Sequence, residues 1–356
     1  MTGRPQPAQP RDGLFDANHH YVPQFILRNF ATQKGKVHQF YVYDKQAGRS
    51  FPTNVKNILS ERDFNVFSAG QYRVSFEGQL QHIETATSTI VSKIVDNRNI
   101  SCLTDEDKSW LCIFTSAQML RVRQFREEMK DMDEQLYALI RESGGDPNDV
   151  ANYRPFQNDD EIRRFSCEFM MESSVDFAKH LAILHMVLMS TKSSDPFYIS
   201  DCPVTKYHDR INDLYGNLGL ACEGIQVHIP VSDTMMIAFI CPTTVNEIKE
   251  GFERIKNHYD QLAALRVLGN AESQAFAVQQ IEALKGPLEN LEKLKKAIEQ
   301  GIPAECTKDN TLFYNSLQVR CAERYVLSKR KNFDLVEDMV RRDRTLRDGG
   351  SRMQVR

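Results

Sequence analysis

The spacing of hydrophobic and polar residues changes several times along the chain, and each change predicts a different element. Alternation over residues 36–44 predicts a strand, and two short apolar runs at 63–67 and 72–76, on either side of a small turn, predict a hairpin. From residue 77 to about 95 the apolar positions recur at helical spacing instead. The N-terminal part therefore predicts short strands followed by a helix.

The middle of the chain predicts two long helices and then a return to strands. Thr104 precedes three acidic residues, which is typical of a capped helix start, and the helical pattern continues to about residue 140. After a polar loop, a second helix rich in Phe and Met is predicted from 159 to about 189. Strands are predicted at three later apolar runs, 197–199, 225–229 and 235–240.

The C-terminal third is predicted to be mostly helical. Two helical segments, about 243–267 and 271–300, are separated near Gly269 and predict a helical hairpin. A last helix over about 312–323 and a short strand at 325–327 follow. The mixture of elements predicts an α+β fold, mainly helical, with a small mixed or antiparallel sheet built from distant segments.

These elements also predict how the chain is organised. We expect a disordered leader at 1–16, because this segment lacks a periodic apolar pattern. A single α+β core domain is expected at 17–335, with 243–300 as a helical hairpin elaboration of it. Arginines accumulate after about residue 337, so a basic tail is expected at 336–356.

Composition narrows the function mainly by exclusion. The 356 residues carry a formal charge of −3, so binding of nucleic acid would require a local basic patch. The eight cysteines form no CxxC pair and lie mostly in apolar runs, which favours buried, reduced thiols in a cytoplasmic protein. The N-terminus lacks the apolar core of a signal peptide, and no apolar run reaches the ~18 residues that span a bilayer. We therefore expect no membrane partner.

Common catalytic motifs are missing from the sequence. It contains no P-loop, no GxGxxG, no HExxH and no GxSxG, and no RNP-like or C₂H₂ pattern. The sequence therefore lacks the motifs that would assign the protein to the nucleotide-cofactor enzymes, the zincins or the α/β-hydrolases. Candidate residues must come instead from polar side chains in apolar surroundings, which require partners when they are buried.

Two adjacent histidines, His19 and His20, begin a segment in which polar side chains lie among apolar ones. In an extended strand they point to opposite faces, so one of them at most faces any given site. A functional interpretation makes one of them a general acid or base, or a metal ligand. The structural interpretation is a hydrogen-bonded histidine that fixes the N-terminal segment, and both interpretations stay open. Pro23 excludes a continuous helix across the segment.

Two predicted helices carry further candidates. Glu77 and Glu84 lie two helical turns apart and share a face, which suits either a metal site or, more commonly, solvated surface charge. Gln118 and Arg121 share a face of an otherwise apolar helix. The Arg121 fork would suit a phosphate or carboxylate ligand, and an internal salt bridge is an equally good explanation.

The remaining candidates lie in the second half of the chain. Ser200 and Asp201 follow a short apolar strand and precede a proline, which is typical both of functional groups and of an ordinary Asx turn. Asn315 and Gln318 share a face of the last predicted helix, and Arg324 marks its exit.

The run from His20 to Phe30 resembles the opening signature of the bacterial domain of unknown function family 4238. Later segments resemble that family's layout in the same order, so the resemblance covers most of 17–335. It implies a single-domain α+β bacterial protein without an established activity. It also implies that eight polar residues converge in one site: His20, Gln24, Arg28, Gln118, Arg121, Asp201, Asn315 and Arg324.

Two hypotheses follow for the function. The first is a hydrolase acting on a phosphate-bearing substrate, such as a metal-dependent nuclease in defence or a toxin, with DNA, RNA or a nucleotide as partner. His20, Glu84 and Asp201 would be catalytic, with Mg²⁺ or Mn²⁺ as the candidate metal, and the substrate would be bound by Gln24, Arg28, Gln118, Arg121, Asn315 and Arg324.

The second hypothesis is a non-catalytic protein-interaction or ligand-binding module in which the polar cluster is structural. A protein partner would then bind through residues 243–300. The two hypotheses differ in one geometric observation. Catalytic residues line an open pocket, whereas structural ones are buried and paired with one another.

Overall fold

The computed structural model describes residues 15–208 and 219–349. Most of the predicted leader, and the predicted tail from residue 350 onward, lie outside the described residues. The described helices are Gln24–Arg28 (α1), Glu77–Asn97 (α2), Asp105–Leu120 (α3), Arg123–Glu142 (α4), Asp159–Ile183 (α5), Pro242–Leu268 (α6), Ala271–Gln300 (α7), Lys308–Cys321 (α8) and Asp334–Arg342 (α9). Short 3₁₀ turns lie at Val55–Asn57, Pro147–Asp149 and Arg344–Asp348.

The strands are short and come from distant parts of the chain. They are Asn18–His20 (β1), Thr32–Lys34 (β2), Val37–Asp44 (β3), Arg49–Asn54 (β4), Ser60–Arg62 (β5), Val66–Ala69 (β6), Tyr72–Ser75 (β7), His185–Ser190 (β8), Ile199–Ser200 (β9), Thr205–Tyr207 (β10), Gln226–Ser232 (β11), Met235–Ile240 (β12), Ala304–Glu305 (β13) and Tyr325–Ser328 (β14).

Two five-stranded sheets organise these strands. One has the order β10-β11-β12-β8-β13 and is antiparallel except for the β8–β13 pair. The other runs β2-β3-β14-β9, with β4 also paired to β3, and is antiparallel throughout. Two-stranded ribbons, β1–β5 and β6–β7, complete the β-structure of the described residues. The predicted fold class, a mainly helical α+β domain with small sheets from distant segments, is confirmed.

Two predicted helix boundaries are wrong. The helix predicted from 104 to 140 is two helices, because Arg121 and the extended, buried Val122 separate α3 from α4. The helix predicted to reach 189 ends at Ile183, and β8 follows inside the first sheet. A short apolar run fits a buried strand as well as a buried helix, so the pairing with β12 decides the outcome.

The main hydrophobic core packs the N-terminal segment against α2, α3 and the first sheet. Val22, Leu27 and Phe30 of that segment are fully buried, and they join Phe40 and Phe239 in one cluster. The apolar half of the opening segment is therefore core. Its polar half must find hydrogen-bond partners at the edge of that core.

The helical hairpin of α6 and α7 stands apart from this core. α6 packs on α7 and makes few contacts with any other element, while α7 also contacts β8 and β13. Val245 and Ala297, near the base of the hairpin, belong to the main core, whereas Leu262 and Ile281 form a small separate cluster toward its tip.

The segment that follows β14 packs on the domain. Val336 and Val340 of α9 are buried in a small cluster with Phe333. The division predicted between core and tail, at residues 335 and 336, falls inside α9. In the part of the chain that the structure describes, no helix has both the length and the apolar character needed to cross a bilayer.

Candidate functional site

Five residues form a network around the end of β1, which we call the N-terminal network: His20, Tyr21, Glu84, Gln118 and Arg121. Arg121 donates through Nη2 to the His20 carbonyl at 2.8 Å and through Nε to the Tyr21 carbonyl at 3.1 Å. Its Nη1 pairs with Glu84 Oε1 at 2.8 Å. Gln118 Nε2 also donates to the Tyr21 carbonyl, at 2.8 Å.

The local sequence explains why this network forms. β1 ends at His20 and Pro23 follows soon after, so the chain leaves the ribbon where the carbonyls of His20 and Tyr21 accept from side chains. Buried carbonyls need donors, and these come from Gln118 in the last turn of α3 and from Arg121, the residue that follows the helix. Arg121 therefore binds main-chain oxygens and Glu84, and the internal ion pair considered for it is present.

The His20 side chain lies nearer the surface. Its Nε2 donates to the Val55 carbonyl at 3.3 Å, and its Nδ1 accepts from Gln24 Nε2 at 3.4 Å. Arg28 in turn donates from Nη2 to Gln24 Oε1 at 3.3 Å. Burial lowers the pKa of His20, which favours the neutral imidazole that this pattern requires. His20 and Gln24 are half-buried and Arg28 is exposed.

His19 points away from His20, as alternation predicts. It is buried, and its Nδ1 accepts from the Asn65 N–H at 3.3 Å and lies 3.4 Å from Glu77 Oε1. Asn65 also donates from Nδ2 to Glu77 Oε1, at 2.6 Å. Glu77 therefore accepts from Asn65 and lies beside the buried His19 ring.

A second network surrounds Asp201, and we call it the Asp201 network: Asp201, Lys45, Glu323, Arg324 and Tyr325. Asp201 Oδ1 accepts from the Glu323 N–H at 2.8 Å. Its Oδ2 accepts from the N–H groups of Arg324 at 2.7 Å and Tyr325 at 2.8 Å. The carboxylate thus holds the backbone between α8 and β14.

Burial shifts the pKa values of both charged groups at the centre of this network, Asp201 and Lys45. Burial raises the pKa of Asp201 to about 6, although the three N–H donors and the charge of Lys45 act in the opposite direction. Burial also lowers the pKa of Lys45, which is fully inaccessible. Lys45 Nζ donates to the carbonyls of Val319 and Ala322 at the end of α8. Both charged groups therefore act on main-chain atoms.

Arg324 has a second role through its side chain. Its Nε donates to Asp44 Oδ1 at 3.1 Å, and its Nη2 donates to Asp44 Oδ2 at 2.7 Å, a two-point contact. Burial opposes ionisation of Asp44, but the hydrogen bonds from Arg324 and from the Ala47 N–H outweigh it and lower its pKa. The guanidinium is thus held by one carboxylate.

Asn315 and Gln318 fasten α8 to the segment around β9. Asn315 accepts from the Tyr198 N–H at 2.7 Å and donates to the Pro196 carbonyl at 3.0 Å. Gln318 accepts from the Ser200 hydroxyl at 2.8 Å and donates to the Pro203 carbonyl at 2.8 Å. The two amides lie on one helix face, as predicted, and they bind main-chain groups and the Ser200 hydroxyl of this segment.

The candidate residues therefore lie in separate environments. His20, Gln24, Arg28, Glu84, Gln118 and Arg121 lie at or beside the N-terminal network, Asp201 and Arg324 lie in the Asp201 network, and Asn315 binds the β9 segment. Glu84 and Asp201 share no partner: one binds Arg121 and the other binds backbone N–H groups.

Tyr21 is a buried member of the N-terminal network. Its carbonyl accepts from Gln118 and Arg121, and its ring packs on Phe64. Burial, and then the charge of Asp201, raise the pKa of its hydroxyl well above the ordinary value. Tyr21 and Lys45 are not among the candidate residues that the sequence indicates. Nothing in the sequence distinguishes Lys45, which occupies an ordinary turn after β3, from a solvated lysine.

These residues coincide neither with a group of metal ligands nor with the cleft described next. Within 15–208 and 219–349, no three His, Cys, Asp or Glu side chains are grouped so that they could hold a metal ion. A cleft of about 460 Å³ lies between α3, α5 and α7, where Asp105, Lys108, His185 and Gly301 contribute to its lining. None of the candidate residues lines this cleft.

Comparisons with known proteins identify a family. A family model described as "Protein of unknown function (DUF4238)" matches residues 18–332. Comparison with curated proteins gave no match, and comparison with solved structures gave none either.

Proposed function

Because the chain belongs to the DUF4238 family, whose description assigns no activity, we propose a function from the geometry of the chain itself. The protein is a non-catalytic interaction module. Its buried polar side chains fasten the N-terminal segment to the domain, and its α6–α7 hairpin presents the surface that binds a partner.

One observation carries this proposal: the buried polar residues Gln118, Arg121 and Asp201 bind mainly main-chain atoms of distant segments. Gln118 and Arg121 donate to two carbonyls of the opening segment, and Asp201 accepts from three consecutive N–H groups. Buried side chains with these partners stabilise a fold, and an arginine held in this way has little capacity left for a phosphate.

A hydrolase acting on a phosphate-bearing substrate is the second candidate. The feature that favours it is the hydrogen-bonded series Arg28–Gln24–His20, which runs from an exposed guanidinium to a half-buried, neutral imidazole. A neutral histidine beside an exposed arginine is a combination that general-base chemistry uses. His20 is therefore the residue that separates the two candidates.

The variant His20→Ala is expected to lower the free energy of unfolding by about 1 to 2 kcal/mol, because the Val55 carbonyl and Gln24 lose their partner. The wild-type protein is expected to hydrolyse no DNA, RNA or nucleotide in the presence of Mg²⁺ or Mn²⁺. Denaturant unfolding and a hydrolysis assay measure the two properties. Metal-dependent turnover in the wild type that disappears in a His20→Ala protein of unchanged stability would establish the hydrolase instead.

The hairpin has the form of a projecting contact element. At 1.5 Å per residue, the 30 residues of α7 extend about 45 Å, and the helix is joined to the main core near its C-terminal end. The turn between the helices is tight, since a Cβ on Gly269 would lie 2.5 Å from the Leu265 carbonyl oxygen. Asn270 caps α7 by accepting from the Ser273 N–H.

The tip of this hairpin exposes apolar side chains. Val267 and Leu268 are 74% and 84% exposed, and Leu265, Phe276 and Val278 are exposed as well. Scattered exposed apolar residues are ordinary, but a group of them at one end of a projecting element is typical of an interaction site. We define these five residues as the hairpin tip.

The charges around the tip fit a second copy of this chain. Between Asp260 and Glu282 the charged residues are Arg266 and Glu272, one of each sign, on opposite sides of the turn. Both are exposed, and no ion pair holds either of them in the described structure. In a two-fold symmetric contact, Arg266 of each subunit can meet Glu272 of the partner subunit.

Sedimentation velocity over a concentration series of about 1 to 100 μM tests this contact, because a contact made by five apolar side chains from each subunit is at the weak end of specific association. The wild type is expected to shift toward dimer as its concentration rises. Leu268→Glu, Arg266→Glu and Glu272→Arg are each expected to weaken the dimer. The double variant with Arg266→Glu and Glu272→Arg is expected to restore it, because the reversed charges match again.

Lys293→Glu is the matched control, since it makes the same change of charge on an exposed position nearer the base of the hairpin. It is expected to leave the dimer unchanged. A wild type that stays monomeric throughout the series, or a double variant no better than the single ones, would contradict the assignment of a second copy as partner. Binding of the monomer to lipid vesicles would assign the tip to a membrane surface.

A further inference from the structure

Two of the cysteines lie together where α8 ends against the turn after β9. Cys202 follows Asp201 in that turn, and Cys321 is the last residue of α8. Their sulfur atoms share an acceptor: Sγ of Cys202 lies 3.9 Å, and Sγ of Cys321 3.6 Å, from the Val204 carbonyl oxygen. The two thiols are thus neighbours in space although they are far apart in sequence.

The surroundings give the two thiols different roles. Cys321 is partly exposed, which makes it the more accessible of the two thiols, and its Sγ also lies 3.3 Å from Gln124 Oε1. Cys202 is buried, and the adjacent Cys321 thiol, followed by burial, raises its pKa.

We propose that Cys202 and Cys321 form a reversible disulfide when the protein meets a small-molecule disulfide. Cys321 is the attacking thiol because it is accessible, and Cys202 is the resolving thiol because it is buried beside it. The proposal does not depend on the hairpin contact, since α6 and α7 contribute no residue to the pair.

The chemistry balances with a small-molecule disulfide as oxidant. The Cys321 thiolate attacks one sulfur of the oxidant, which breaks its S–S bond and releases one small thiol that takes the Cys321 proton. The Cys202 thiolate then attacks Sγ of Cys321, and a second small thiol leaves with the Cys202 proton. Two cysteine thiols are oxidised and one small disulfide is reduced to two thiols.

The cross-link would strengthen the junction that the Asp201 network holds. It would join the residue after Asp201 to the end of α8, two residues before the N–H of Glu323 that Asp201 accepts from. The closed loop would contain roughly 120 residues, and a loop of this length restricts the unfolded chain strongly. A higher melting temperature in the oxidised protein is the expected consequence.

Treatment of the folded, full-length chain with oxidised glutathione tests the proposal. Peptide mapping is expected to show one cross-link, between the peptides of Cys202 and Cys321, and the melting temperature is expected to rise by several degrees until a reductant reverses both changes. Cys321→Ser is expected to abolish the cross-link and the rise. Cys306→Ser, which removes a buried thiol elsewhere, is expected to preserve them.

Three results would overturn the proposal. These are a glutathione adduct at Cys321 that persists without a cross-link, a cross-link between other cysteines, and no reaction at either thiol. Because peptide mapping of the wild type alone distinguishes these results, the test stands even if a variant fails to fold.

Discussion

Replacing Arg121 with methionine is expected to lower the free energy of unfolding by about 3 to 5 kcal/mol, because it breaks a buried charge network from one side. The Arg121 side chain is 2% exposed and serves three acceptors, the carbonyls of His20 and Tyr21 and the carboxylate of Glu84. Methionine fills similar space but donates no hydrogen bond, so all three oxygens lose their charged partner. Urea unfolding followed by circular dichroism measures the change.

Arg123→Met is the control for this experiment. Arg123 lies two residues away, its side chain is 48% exposed, and its ion pairs with Glu61 and Glu127 are 3.4 and 3.6 Å long. A surface pair of this kind contributes about 0 to 1 kcal/mol, so the control is expected to remain nearly as stable as the wild type. If Arg121→Met were as stable as the control, the N-terminal network would not be a structural lock, and its residues would have to be explained by a ligand.

The variant Asp201→Asn is expected to destabilise the protein by about 3 kcal/mol despite its nearly identical shape. Both carboxylate oxygens accept main-chain hydrogen bonds, one from Glu323 and two from the next two residues. An asparagine has one acceptor oxygen, and its amide nitrogen must face at least one N–H donor. Thermal and denaturant unfolding of the purified variant measure the loss.

Asp195→Asn provides a matched substitution in the loop that leads to β9. Asp195 is only partly buried, and its Oδ2 accepts from the hydroxyl of the neighbouring Ser194, a contact that an amide oxygen can keep. We expect it to change the free energy of unfolding by less than about 0.5 kcal/mol. Equal stability of the two variants would show that the three N–H donors do not hold Asp201 in the way that the geometry indicates.

Local sequence predicts some elements well because their signals are local. Thr104 caps α3 through the Asp107 N–H, and Asp107 returns the bond to the Thr104 N–H, as the acidic start of that helix suggests. The alternation of His19 and His20 is confirmed for the same reason, since strand geometry alone sets opposite directions. Both signals involve residues only a few positions apart.

Helix boundaries that depend on packing against distant segments cannot be predicted from the local pattern. The break at Val122 carries no glycine or proline, and the apolar run over 181–189, interrupted only by His185, extends from α5 into β8. Each boundary is decided by where a buried segment finds its neighbour, with β12 pairing along β8 and Arg121 turning toward β1. Periodicity within a window cannot contain that information.

The sequence by itself determined the family, the mainly helical α+β class and the set of polar residues that had to find partners. Only the tertiary structure decided who those partners are. Gln118, Arg121, Asp201 and Asn315 bind main-chain carbonyl and amide groups of distant segments. Because every residue carries main-chain groups, the sequence does not indicate which carbonyl or N–H group will bind a given side chain. Only the folded chain shows which main-chain groups lack a partner within a strand or helix.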